Sequence, residues 1–169
     1  MIQLCVERLI QQPAGHFVNA AMQWGIDQES QARMAYEART GAIVEEVGFI
    51  HHPALEWVGG SPDGTVAEDG LVEFKCPFEP AVHVETLMAG AMPEEHRPQV
   101  QGLLWITARQ FCDFVSYDPR MPKGLDLFVH RVQRDDKYIA SLETEIRAFL
   151  GEVDSTLDAM LEKMGEYEG

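Results

Sequence analysis

The chain has 169 residues, 46% of them hydrophobic, with 13 basic side chains against 28 acidic ones and a formal net charge of −15. That length suits one domain with a core of its own, and the composition is globular rather than disordered. No apolar run approaches the ~20 residues of a membrane span, and the N-terminus lacks the basic start and apolar stretch of a signal peptide. Cys5, Cys76 and Cys112 are too few and too scattered for a zinc or iron–sulfur site and read as free thiols of a reducing cytoplasm.

Taken in order, residues 2–11 read as a short helix ending before Pro13 and Gly15. Asn19 is a cap for a helix to about Arg39 that Gly41 ends, with Ala20, Trp24, Ala32, Ala35 and Tyr36 as its apolar stripe. That helix can present Glu29 or, two turns on, Glu37. Residues 43–50, 54–59, 71–75, 111–117 and 125–132 read as strands, and 81–90 and 97–109 as helices. His51 and His52 precede Pro53 and read as a loop, not a ligand pair; His16, His83, His96 and His130 lack partners at ligand spacing. From 136 to 164 apolar positions recur at helical spacing, from Ile139 and Leu142 to Leu161 and Met164, and Gly165 can close that helix. Strands set between helices imply an α/β (α+β) domain with a central mixed sheet flanked by helices. One domain over 1–169 would comprise a helical part (1–41), a sheet core (42–132) and a C-terminal helix (136–165).

The chemistry concentrates between residues 61 and 75. Asp63 sits in a tight turn opened by Pro62 and closed by Gly64, and Asp69-Gly70 is a second turn signal of the kind that joins antiparallel strands. Strand side chains alternate faces, so Glu73 and Lys75 point one way and Val72, Phe74 and Cys76 the other. A hairpin can fold Asp63 back against Glu73. Two carboxylates and one ammonium then share one spot. Hard oxygen donors suit Mg²⁺, and a nearby lysine can orient or deprotonate a water.

Asp63 followed ten residues later by Glu73-Phe74-Lys75 resembles the PD-(D/E)XK nuclease superfamily. Four segments in order, Ser61-Pro62-Asp63-Gly64, Glu73-Phe74-Lys75-Cys76-Pro77-Phe78, Gln99-Val100-Gln101 and Ser116-Tyr117-Asp118-Pro119-Arg120, resemble the phage lambda-type alkaline exonuclease or YqaJ-like viral recombinase family. The likeness runs from about Phe17 to Leu161. It implies a restriction-endonuclease-like core and a Mg²⁺-dependent deoxyribonuclease (Mn²⁺ substituting), namely a 5′–3′ double-strand exonuclease of phage or prophage recombination. Asp63, Glu73 and the Phe74 carbonyl would hold the metal, with Glu29 assisting. Lys75 would act on the attacking water, and Gln99 would stand beside the water or phosphate. Ser61 and Arg120 are the candidate phosphate contacts, and Gln101 lies on a different helix face from Gln99.

The resemblance further implies a trimeric ring on double-stranded DNA, a single-strand annealing recombinase as partner, no membrane attachment and a place in the bacterial host cytoplasm. Fuller family members carry an N-terminal helix-and-turn segment that receives the DNA end, and this chain starts after it. Weak 5′-phosphate preference is the matching expectation. The alternatives are an endonuclease or nickase of the same superfamily, and an inactive remnant that serves as a binding or assembly module. The acidic charge runs against the usual basic balance of DNA binders. Much of the excess lies between residues 143 and 168, where eight acidic residues face only Arg147 and Lys163.

Overall fold

The computed structural model describes residues 1–13, 15 and 18–167, with side chains through Lys163. Expectations for His16 and for the side chain of Met164 lie outside the described residues. The chain forms two compact units, residues 18–139 and residues 1–17 with 140–169.

In the larger unit, α2 (Ala20–Thr40) follows α1 (Ile2–Ile10) of the smaller one. Asn19 Oδ1 accepts from the Met22 amide at 2.9 Å, and Gly41 ends the helix in the left-handed region, φ 73°. The expected stripe is half realised. Ala32 and Tyr36 are buried, but Ala20 is exposed, because only the second half of the helix lies on the sheet. The strands are β1 (Val44–Glu45), β2 (Ile50–His51), β3 (Gly59–Gly60), β4 (Gly64–Val66) and β5 (Gly70–Lys75). Then come α3 (Pro80–Ala89), a 3₁₀ turn (Glu94–His96), α4 (Arg97–Thr107), β6 (Phe111–Tyr117), β7 (Leu127–Gln133) and α5 (Asp136–Tyr167).

The main sheet has the order β1-β4-β5-β6-β7 and is mixed as expected, with β5–β6 the parallel pair. Alternation along β5 builds two cores. Val72 and Phe74 pack with Val115, Tyr117 and Leu127 against Ala32 and Tyr36 of α2. Leu71 packs with Cys112 against Val100, Leu103 and Leu104 of α4. Each layer removes several large apolar side chains from water, at roughly 1.5–3 kcal/mol apiece.

The long strands expected over 43–50 and 54–59 do not form. Val44–Glu45 joins the main sheet, while Ile50–His51 pairs only with Gly59–Gly60. Between them His52 Nδ1 accepts from the amides of Ala54 and Leu55 at 3.1 Å each, turning the chain into a loop. The hairpin turn is also displaced. Ala67, not Gly70, takes the left-handed conformation (φ 51°). Gly70 already belongs to β5, where a Cβ would run into the Phe111 ring. Helix α4 stops at Thr107, with Ala108 left-handed at φ 55°, and α5 runs through Gly165 to Tyr167 instead of closing there.

In the smaller unit, α1 meets the 140–167 part of α5. Cys5 and Val153 are fully buried, the Cys5 thiol lies 3.7 Å from the Val153 carbonyl, and Arg8 pairs with Asp154 at 2.6 Å. The stripe Leu142, Ile146, Leu150, Leu157 and Met160 is half-buried, as a one-sided helix face requires. Among the described residues no helix is long and apolar enough to cross a membrane.

Candidate active site

The β4–β5 register carries Asp63 to the site. Gly64 pairs with Val72, so Asp63 stands at the rung of Glu73. Its Oδ2 accepts from the Phe74 amide at 2.6 Å. The next rung would set Pro62 opposite Phe74, and proline has no N–H to give. A strand residue's N–H and C=O point to the same edge. The Phe74 carbonyl therefore faces the end of the ladder beside Asp63, without a ladder donor from Pro62.

Glu73 is 2% exposed. Lys75 Nζ donates to its Oε1 at 2.7 Å, and Gln99 Nε2 donates to the same oxygen. Both donors thus fall on one oxygen, and Oε2 is left buried with no partner. A buried carboxylate oxygen in that state is costly unless a cation or donor completes it. Asp63 reports the same deficit of positive charge. Burial first, and then the Glu73 carboxylate, push its pKa up to about 6. The donor set fits a hard divalent cation that keeps several waters. Among the described residues, no group of three His, Cys, Asp or Glu side chains is gathered closely enough to hold an ion. Two carboxylates, one carbonyl and water are the inventory here.

Glu29 lies in α2 on the wall of a cavity of about 400 Å³ that it shares with Asp63, Ser61, Ser30, Arg33 and Glu46. Burial and then Asp63 raise its pKa. It stands near the pair on the same cavity wall, without a direct bond to either carboxylate. Glu37 is spent elsewhere, its Oε1 accepting from the Val44 amide at 2.8 Å. Ser61 lines the cavity. Arg33, which pairs with Glu46, supplies the cavity's cation; its helical spacing of four from Glu29 was the available signal.

Arg120 is not placed as a free phosphate contact. It makes a two-pronged pair with Asp118, 2.8 Å on each side, donates to the carbonyls of Phe78 and Pro77, and stacks 4.4 Å above the Trp24 ring. The carboxylate two residues back, fully buried, engages that guanidinium from both sides. Gln101 is buried and bridges to the Gln133 carbonyl and the Asp135 amide, a structural post. Burial pushes the Cys76 thiol up to about 12, which removes it as a nucleophile.

Asp63 makes a stability prediction. A carboxyl whose folded pKa is raised stabilises the fold while protonated, and that contribution is lost as pH rises from the ordinary carboxylate range through about 6. Asp63→Asn keeps an acceptor for the Phe74 amide and drops the charge. In metal-free buffer it is expected to melt higher than the parent above pH 7 and to match it below pH 4. Melting curves that keep the same gap at both pH values would show that Asp63 is not held in this way.

The YqaJ-like viral recombinase domain model matches residues 2–110. The alkaline exonuclease LHK-Exo from Laribacter hongkongensis is 42% identical; the match covers 98% of this chain and 84% of that one, with a TM-score of 0.92, and its complex with dAMP matches equally. A phage related exonuclease from Haemophilus somnus 129PT, 17% identical, shares the fold with a TM-score of 0.69 over 96% of this chain and 81% of that one. The Escherichia coli (strain K12) uncharacterized protein ExoD is 34% identical over 68 residues, 40% of this chain and 76% of its own length.

Proposed function

The chain belongs to the YqaJ-like viral recombinase domain family, and from that membership we propose that it is a Mg²⁺-dependent deoxyribonuclease, a 5′–3′ double-strand exonuclease of phage or prophage recombination. The observation that carries this reading is the state of Glu73, with Oε1 saturated by Lys75 and Gln99 and Oε2 buried and unpaired. The likeness to an alkaline exonuclease supports the choice of DNA as substrate.

Asp63, Glu73 and the Phe74 carbonyl would hold the ion, with Glu29 reaching its waters. When bound, Mg²⁺ supplies charge neutralisation at the phosphate and a more acidic water. The residues do the rest. Lys75 is half-exposed, tied to Glu73 through one N–H, and has further donors to orient the attacking water or, once deprotonated, to take its proton. Gln99 fixes Glu73 Oε1 through its amide N–H, which leaves its own carbonyl free to accept from the same water. Phe74 buries its ring in the α2 core, so the backbone at its carbonyl is rigid.

A ring of three and an annealing partner belong to the same proposal. Closure around the duplex would let an acidic protein keep its substrate by topology. Sedimentation velocity reads the ring directly, and a monomer at the 19.0 kDa chain mass removes it. The activity is tested by incubating 5′-phosphorylated linear duplex and a closed circle of the same sequence with Mg²⁺. The expected result is loss of the linear form to mononucleotides and survival of the circle. Nicking of the circle would transfer the protein to the endonuclease reading, and two intact substrates would end the nuclease proposal.

A further inference from the structure

His96 ends the 3₁₀ turn and stands at the start of α4, three residues before Gln99, so the two share one face of the helix. Gln99 reaches Glu73. Glu73 is registered beside Phe114 of β6, and the His96 ring lies over the Phe114 ring, with centroids 5.2 Å apart and planes tilted by 31°. His96 is thereby fixed on the sheet face that bears Glu73 and Lys75. Stacking occupies a ring face and leaves the nitrogens, which lie in the ring plane, unspent. The Glu95 carboxylate is 3.6 Å from Nε2, beyond hydrogen-bond length. No side-chain hydrogen bond engages His96 among the described residues. Burial, and then the Lys75 cation, hold its pKa below the ordinary value, so the ring is neutral at neutral pH. A neutral imidazole offers one N–H and one acceptor.

We propose that His96 is a substrate-contacting residue, its ring N–H donating to a phosphate oxygen of the DNA nucleotide addressed by Lys75 and Glu73. The proposal rests on the nuclease reading for its ligand. The geometry supplies the rest: a ring locked in orientation by Phe114, adjacent to the charged cluster, with a donor that the protein itself does not use. Near an excess of carboxylates, a neutral donor can approach a phosphodiester without being captured by them, as Arg120 is captured by Asp118.

Two substitutions separate donor from packing. His96→Phe keeps the ring over Phe114 and removes the N–H. His96→Gln keeps an N–H donor and gives up the ring. Steady-state kcat and KM on linear duplex, duplex affinity by fluorescence anisotropy in Ca²⁺, and thermal unfolding are recorded for each. The expected result for His96→Phe is a loss of about tenfold in kcat/KM and in affinity, as for a hydrogen bond to a charged group, with an unchanged melting temperature. His96→Gln should recover most of both despite melting lower. Parental kcat/KM and affinity in His96→Phe would overturn the proposal, as would losses in His96→Gln at least as large as in His96→Phe. If the parent binds duplex but does not cleave it, the affinity arm still decides His96 while the nuclease reading falls. If the parent neither cleaves nor binds, both fall.

Discussion

Lys75→Ala is expected to lower the rate of duplex cleavage at saturating Mg²⁺ by on the order of 10²-fold or more, with the fold retained. The ammonium sits 2.7 Å from Glu73 Oε1, on the one buried carboxylate among the described residues that has an unpaired oxygen. Removing it takes away both the group that addresses the water and the positive charge that offsets Glu73. The second loss should appear without any substrate. In metal-free buffer Lys75→Ala should melt below the parent, because Glu73 remains buried with only a neutral amide for company. Millimolar Mg²⁺ or Mn²⁺ should then restore stability, at about 2.7 kcal/mol when the ion stands at a hundredfold its dissociation constant. Asp63→Ala and Glu73→Ala should lose activity to at least the same extent and also lose the metal-induced rise. Single-turnover cleavage beside thermal melts with and without the ion makes the comparison. Cleavage by Lys75→Ala at the parental rate would remove the lysine from the chemistry, and a metal-induced rise that survives Glu73→Ala would remove Glu73 from the ion.

The hairpin was legible because its logic is local. Nine residues between Asp63 and Glu73, with turn formers at both ends, admit a register that puts both at one rung. The caps of α2 were legible for the same reason, since Asn19 and Gly41 act within a turn of themselves. The segment between residues 43 and 60 was not. Its β-branched run speaks for strand wherever a partner exists, but pairing is tertiary, and the partners offered to Ile50 and His51 are two glycines. Gly59 has no room for a side chain beside Phe49, nor Gly60 beside Leu103. Arg120 shows a second limit. A basic residue at a strand end reads as a ligand contact until the structure reveals that Asp118, two residues away, is fully buried and claims it. The site's neighbours escaped for a third reason. Arg33 had only its helical spacing from Glu29 to mark it and His96 had no mark at all, and their relevance comes from which cavity and which ring they meet.

The second large effect is on stability and concerns the opposite face of the same sheet. Asp113 on β6 is 2% exposed and accepts from Tyr36 of α2 at 2.7 Å and from Arg131 of β7 through two bonds of 2.8 Å. One carboxylate therefore ties the helix that carries Glu29 to two strands. The two ends of this network differ in burial, and that difference orders the mutants. Asp113→Ala leaves a buried Tyr36 hydroxyl unsatisfied, at roughly 1–3 kcal/mol, while Arg131, whose side chain is 53% exposed, turns to water. Arg131→Ala leaves the carboxylate buried with only the tyrosine hydroxyl, and stranding a buried charge costs about 3–5 kcal/mol. It also uncovers the Phe111 ring, over which the guanidinium lies at 3.8 Å, and Phe111 fills the space that Gly70 leaves open. Arg131→Ala is thus expected to be the more damaging of the two, by about 2 kcal/mol in urea unfolding, although it removes the more exposed residue. If Asp113→Ala proves the costlier, the carboxylate is held by the tyrosine and the sheet, and the arginine is a surface ornament to the pair.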